Sequence, residues 1–394
     1  MVGASLACAL GGTGLEVAVL EAVPLGARSQ PSYDERVIAL AWGTRLILEG
    51  MGVWESVARE SAPIEQIHVS DRGRFGFARL DRRSEGVEAL GYVAPARVLG
   101  AALHRHLGAL DNLSLYCPAQ VVGFRVAEDR VSLEAQIEGR PRLLQARLLV
   151  AADGGDSRIR QRLGFALREW SYGHTAVIST VTPDRAQPGQ AFERFTDSGP
   201  LAMLPMTGGR YSTVWTVRDE TAAHLLTQGD RDFLAGLQEC FGYRLGRLQQ
   251  LGRRVAYPLR LLQVKEPVRR RLVLIGNAAH TLHPVAGQGF NLGIRDAAAL
   301  GDVLGAVAAR GADPGDPLNL RQYADWRRRD QRSVTLITDA LARVFSNPLA
   351  PVRWARNLGL LGLDLAPGLK HLAARQFMGL RGYQARFSRG PRPS

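Results

Sequence analysis

The sequence predicts an α/β fold. Three observations carry that expectation. The chain opens on a helix, a glycine turn and a short apolar strand. Two later apolar runs, 143–152 and 272–275, lead directly into glycine loops followed by helices. Between them lie alternating strands such as Tyr211-Ser212-Thr213-Val214-Trp215-Thr216-Val217. Strand, glycine turn and helix in succession build a nucleotide-binding sheet, and period-two alternation marks half-buried strands.

The opening element places Val2, Leu6, Ala9 and Leu10 at helical spacing. Gly11, Gly12 and Gly14 break the helix, and Leu15–Leu20 forms a strand that ends at Glu21. This is the second half of a βαβ nucleotide-binding unit, in which a carboxylate at the strand end accepts from both ribose hydroxyls. Gly3 stands where the third glycine of G-x-G-x-x-G lets the helix approach the sheet. The unit's first strand and first two glycines are expected about a dozen residues upstream of Met1. Ordinary α/β structure is the plain alternative for this half-fingerprint.

Arg36, in Asp34-Glu35-Arg36-Val37, precedes a helix and either faces a phosphate or is solvated. The run 143–152 ends in Asp153-Gly154-Gly155-Asp156-Ser157-Arg158, which sets a carboxylate and backbone N–H groups beside a ligand or forms an N-capped turn. The most informative stretch joins the strand Leu272-Val273-Leu274-Ile275 to Gly276-Asn277-Ala278-Ala279-His280 and Pro284-Val285-Ala286-Gly287-Gln288-Gly289-Phe290-Asn291. Gly287 and Gly289 let backbone lie against a flat or anionic group, and the following helix aims its positive N-terminus there. His280 and His283 lack further spaced ligands, so packing is expected and no metal site.

Composition narrows the class. Hydrophobic residues make up 46% and charged residues 22%, which excludes a disordered or collagen-like chain. Three scattered cysteines without a CxxC pair argue against a disulfide framework or a zinc site. No apolar run approaches the length of a membrane-spanning helix. The net charge of +13 is unevenly placed: residues 319–394 hold thirteen Arg and one Lys against four Asp, a net of +10. Val334, Ile337, Leu341 and Val344 recur at helical spacing there. Beyond them Trp354, Leu358, Leu361, Leu363 and Leu365 interleave with Arg353 and Arg356. Basic amphipathic segments of this kind lie on anionic membrane surfaces. The alternative is a solvated helix face at 327–332 with the leucines in the core. Nucleic acid is not an expected partner, because no aromatic-lined basic groove is evident.

In this order the motifs resemble those of the single-component FAD-dependent aromatic hydroxylases that share the para-hydroxybenzoate hydroxylase fold. Ala191-Phe192-Glu193-Arg194-Phe195-Thr196, Gly199-Pro200-Leu201-Ala202-Met203-Leu204-Pro205-Met206 and Gly276-Asn277-Ala278-Ala279 are most similar to the ubiquinone-biosynthesis branch, especially the group acting on 2-octaprenyl-6-methoxyphenol. The resemblance implies a discontinuous FAD-binding Rossmann-like domain lacking its first strand (1–62, 94–165 and 265–318). It also implies a mixed-sheet substrate domain (63–93 and 166–264) and a basic helical region (319–394). Gly3 and Glu21 would serve the adenosine end, with Arg36 and Arg97 along the pyrophosphate. Val121 or Val122 would meet adenine through backbone. Asp153 and Gly154 would lie near the pyrophosphate, and Gly276 and Asn277 near the ribityl chain. Pro284, Ala286, Gly287, Gln288, Gly289 and Asn291 would surround the isoalloxazine. Met203, Leu204 and Pro205 would wall the substrate site.

The chemistry implied by the resemblance is hydroxylation of a polyprenyl phenol with NAD(P)H and O₂ through a C4a-hydroperoxyflavin. The nicotinamide docks transiently, without a second dinucleotide fingerprint. No catalytic acid or base is assigned. The expected setting is cytoplasmic, at the inner face of the membrane, with a possible place in a ubiquinone-biosynthesis complex. Two alternatives stand beside it: the same chemistry on another aromatic substrate, and a non-catalytic member of a membrane-bound assembly that presents prenyl substrates or partners.

Overall fold

A computed structural model describes residues 1–24, 36–345, 347 and 349–389. At one end of the molecule are two parallel strand pairs. Val17–Leu20 pairs with Leu113–Tyr116, and Leu149–Ala151 pairs with Leu272–Leu274. The pairs belong to separate sheets but share a core. Leu6 and Leu10, from and just beyond the Val2–Ala9 helix, pack with Val273, Ile275 and Leu300; Val17 from one pair and Val150 from the other close on the same cluster. The small residues of Val2–Ala9 permit this approach. A Cβ built on Gly3 would lie 3.0 Å from the Ala152 Cβ, so the glycine sets the spacing between helix and strand.

The run 143–152 is two strands, not the single one expected. Arg140–Ala146 pairs antiparallel with Val131–Ile137, and Leu149–Ala151 belongs to the parallel pair. The chain changes sheets at Arg147, whose carbonyl accepts from Arg271 Nη1 at 2.9 Å.

The second half of the molecule is a nine-stranded mixed sheet. Its central strands are Leu167–Pro183, Tyr211–Arg218, Gly199–Pro205, Gln190–Thr196 and Gln66–Asp71 in spatial order. Alternation gives it two different faces. Phe192, Met203 and Trp215 face the helices Asp219–Thr227 and Asp230–Phe241, where they pack with Phe233, Leu237 and Phe241. Ala202, Leu204 and Val214 point the other way, into a cavity.

Three helices, Pro317–Phe345, Ala350–Leu365 and Pro367–Phe377, finish the fold. Pro351 and Pro367 stand in the first turns of the last two, where the fixed φ of proline suits a helix start. Phe345 and Leu360 pack on Ala78 and Phe195, and Ala374 and Met378 pack on Leu80 and Ala191. These helices therefore cover the cavity side of the large sheet. Among the described residues no helix is long and apolar enough to cross a membrane.

Two arginines contradict their sequence assignments. Arg327, which the alternative to membrane contact puts on a solvated helix face, is buried between Asp296 and Asp330. Arg356, read as a membrane-facing base, is buried in a two-pronged pair with Asp71 at 2.8 and 3.1 Å. Period and charge alone do not reveal which arginines meet a carboxylate from a distant segment.

Candidate active site

A single cavity of about 1990 Å³ runs from the strand pairs to the large sheet and the C-terminal helices. That volume exceeds the roughly 300–1,000 Å³ of ordinary small-molecule pockets, and it suits a long ligand together with a second one.

The strand-pair end is polar. Glu21 lines the cavity at the end of Val17–Leu20, and its Oε1 accepts from the Val23 N–H at 3.0 Å. Arg36 lines it too, with its guanidinium over the Tyr257 ring at 4.9 Å. Asp153 and Gly154 form the next wall; Asp153 Oδ2 accepts from Ile159 N at 3.5 Å, and Ser157 caps the short helix that follows. Arg160 ties this loop to the next one. Its Nη2 donates to the Gly155 carbonyl at 2.6 Å and its Nη1 to the Ala278 carbonyl at 3.0 Å. No motif in the sequence marks Arg160, because both of its partners are backbone carbonyls, one of them 118 residues away.

The glycine loop forms the middle of the cavity. Asn277, Pro284, Gly287, Gln288 and Gly289 line it. Gly287 adopts φ +59°, with Ala39 only 3.1 Å from a built Cβ, so the turn needs a residue without a side chain. The Gln288–Ala309 helix starts there and directs its N-terminus at the cradle. Gln288 Nε2 donates to the Phe377 carbonyl at 3.2 Å. Asn291 borders the cavity, yet its amide serves the protein. It donates to the carbonyls of Ala39 and Gly287 at 2.8 and 2.7 Å and accepts from Ala41 N at 2.8 Å. The side chain of Ala286 lies outside the described residues.

A buried ion network holds the loop from behind. Gly276 N donates to Asp296 Oδ2 at 3.3 Å, and the same oxygen lies 2.5 Å from His280 Nε2. Arg327 Nε donates to Asp296 Oδ1 at 2.7 Å, Arg327 Nη1 to Asp330 Oδ2 at 2.6 Å, and Arg295 Nε to Asp330 Oδ2 at 2.8 Å. Burial alone pushes the Asp296 carboxyl up, but His280 and Arg327 outweigh it and hold the group below the usual carboxylate range. Gly276 thus supports the site without lining it. His283 is buried edge-on to Tyr172, and burial, helped by His174, lowers its imidazole to about 4. Among the described residues no cluster of three or more metal-ligating side chains forms.

Several expected residues fall elsewhere. Arg97 is half exposed and pairs with Glu60 at 2.6 Å, away from the cavity. Val122 is exposed, and its carbonyl accepts from Arg162 at 2.6 Å; the neighbouring Val121 lines the cavity, because the strand bulges between Val121 and Gly123. Of Met203, Leu204 and Pro205, only Leu204 reaches the cavity. Adjacent strand residues face opposite ways, so Met203 belongs to the helix-covered core.

The model of the FAD binding domain family matches residues 1–335. A ubiquinone hydroxylase of Rhodospirillum rubrum is 39% identical over 96% of this chain and 87% of its own length. The 3-demethoxyubiquinol 3-hydroxylase of Escherichia coli is 32% identical over 96% of each chain. The crystal structure of p-nitrophenol 4-monooxygenase from Pseudomonas putida superposes with a TM-score of 0.81 at 19% identity, covering 98% of this chain and 96% of that one, and shows the same fold. The polar cradle, the glycine loop and these likenesses agree: the chain belongs to the FAD-binding monooxygenase family.

Proposed function

We propose that the protein hydroxylates the ring of a polyprenyl phenol in ubiquinone biosynthesis, using FAD, NAD(P)H and O₂. The observation that carries this reading is the continuity of the cavity, from a polar dinucleotide cradle to an apolar lobe between the large sheet and the C-terminal helices. The two ubiquinone-pathway hydroxylases matched along nearly the whole chain support the same substrate class.

The residues fit FAD by their donor chemistry. All three of Glu21, Arg36 and Asn277 line the cavity, and in this reading Glu21 accepts from ribose hydroxyls, Arg36 meets phosphate and Asn277 meets the ribityl chain. Pro284, Gly287 and Gly289 offer a flat wall for a ring system. Bound FAD supplies the two-electron chemistry that activates O₂. The chain positions the ring and keeps water out, with Ala202, Leu204 and Val214 as the dry wall. In this reading residues 1–62, 94–165 and 265–318 serve the cofactor, and 63–93 and 166–264 serve the substrate.

The reading extends to a membrane surface at the cytoplasmic face. Trp354, Leu358 and Leu365 are 63%, 57% and 72% exposed on one side of Ala350–Leu365, with Leu369 and Leu372 on the next helix and Phe75 beside Trp354 at 6.0 Å. An exposed apolar stripe of this kind suits a bilayer surface. The opposite side of the same helix lines the cavity through Leu360 and Leu363, so a bilayer-dissolved phenol has a short way in.

The test is NAD(P)H oxidation by the purified protein with FAD. A short-chain prenylphenol stimulates it and gains 16 mass units, the mass of one oxygen atom. A protein that stays colourless with added FAD, or ignores every prenylphenol, contradicts the reading.

A further inference from the structure

On the strands Gln66–Asp71, Gln190–Thr196, Gly199–Pro205 and Tyr211–Arg218, the residues that line the cavity are apolar with one exception. Glu193 lies in register between Ala202 on one neighbouring strand and Val69 on the other. Ala191 and Phe195 precede and follow it on the same face. Among the described residues that line the cavity from the large sheet and the C-terminal helices, Glu193 is the only charged side chain; Glu21, Arg36, Asp153 and Arg158 belong to the other end. Its carboxylate has no hydrogen-bond or ion-pair partner among the described residues. It sits deep in the protein yet keeps some accessible surface, and that surface opens into the cavity.

An unpartnered carboxylate in such a place is costly, and an aliphatic residue would pack there at less cost. Groups kept under those conditions cluster at functional sites. We infer that Glu193 is the base that takes the hydroxyl proton of the bound phenol. This rests on the hydroxylase reading of the same cavity.

The step balances. The phenol O–H bond breaks, and its proton moves to a Glu193 Oε. The released electron pair enters the ring, a ring carbon forms a bond to one oxygen atom of O₂, and the bond between the two oxygens breaks with its electron pair leaving on the other oxygen. That carbon then loses its hydrogen as a proton, the new oxygen takes up a proton to become the ring hydroxyl, and Glu193 returns its own proton to the phenolic oxygen as the ring becomes aromatic again. NAD(P)H supplies the two electrons that, with two protons, reduce the other oxygen atom to water. Burial alone raises the Glu193 carboxyl, to about 7. No charged group on the adjoining strands or on the covering helices contributes among the described residues; their side chains there are Ala202, Val69, Phe345 and Leu360. A base with that value is matched to neutral pH.

The test uses the full chain loaded with FAD, a short-chain prenylphenol, and the variants Glu193→Gln and Glu193→Asp. Glu193→Gln is expected to keep its flavin and its reduction by NAD(P)H. Its hydroxylation rate falls by roughly 10²–10⁴-fold, in kcat more than in KM, and hydrogen peroxide replaces product. Glu193→Asp recovers part of the rate. Wild-type kcat/KM rises with pH through about 7, and Glu193→Gln lacks that limb. Wild-type coupling and an unchanged pH limb in Glu193→Gln overturn the assignment. If that variant does not fold, a wild-type profile that is flat between about pH 5.5 and 8.5 overturns it equally. A wild type that hydroxylates no phenol removes the function reading itself, which is a separate result.

Discussion

Arg327 donates its Nε to Asp296 Oδ1 at 2.7 Å, and both side chains are buried. The pair joins the helix that starts at the glycine cradle to the first of the C-terminal helices. Asp296 also receives the Gly276 N–H and His280, so one carboxylate sets the position of the glycine loop that lines the cavity.

Removing one partner leaves the other charge buried. Arg327→Met is expected to cost about 3–5 kcal/mol, read as a lowered denaturation midpoint, and to weaken flavin retention. Because the folded Asp296 carboxyl lies below its unfolded value, its contribution is present above about pH 4 and is lost as pH falls towards the folded value. Asp296→Asn lacks that part of the acid dependence in a pH series of melts.

Glu193 has the opposite sign. Its folded carboxyl is raised, so the folded chain holds a proton that the unfolded chain has released between about pH 4.5 and 7, and stability falls as pH rises through that window. Glu193→Gln should therefore be more stable than wild type at pH 8, by on the order of 3 kcal/mol, and equal to it near pH 4. Equal melting curves at both pH values would count against a buried, unpaired carboxylate.

Gly287→Ala puts a Cβ at positive φ and 3.1 Å from Ala39. The strain of about 1–2 kcal/mol falls on a turn that lines the cavity, where the proposed reading puts the flavin. FAD affinity is expected to drop roughly tenfold, measurable by fluorescence titration, with little change elsewhere in the fold.

The exposed stripe and the buried arginine on the same helix should separate cleanly. Replacing Trp354, Leu358 and Leu365 with serine removes binding to anionic vesicles and leaves the melting midpoint unchanged. Arg356→Ala lowers the midpoint sharply, since Asp71 loses its buried partner. Vesicle binding unaffected by the triple change would rule out this face as the contact.

Much of the polar end of the cavity was legible in the sequence, because its parts are local. A strand end puts Glu21 at the cavity, and a missing Cβ at Gly3 sets the helix against Ala152. What stayed hidden depends on parity or on distant partners. Met203 and Leu204 are equally apolar, and only the pleat decides that Leu204 meets the cavity. Arg327 and Arg356 look like surface bases until Asp296 and Asp71 arrive from elsewhere in the chain. Arg97 looked like a phosphate ligand, but Glu60 holds it at the surface. Glu193 stood inside a recognised motif, and its role rests on which face of the strand it shares with Ala191 and Phe195.

The most direct test is incorporation of isotopically heavy O₂ by the FAD-loaded protein with NAD(P)H and a short-chain prenylphenol. The hydroxylated product should carry one heavy oxygen atom on its ring. NAD(P)H consumption that gives only peroxide, or a product whose new oxygen comes from water, would contradict it.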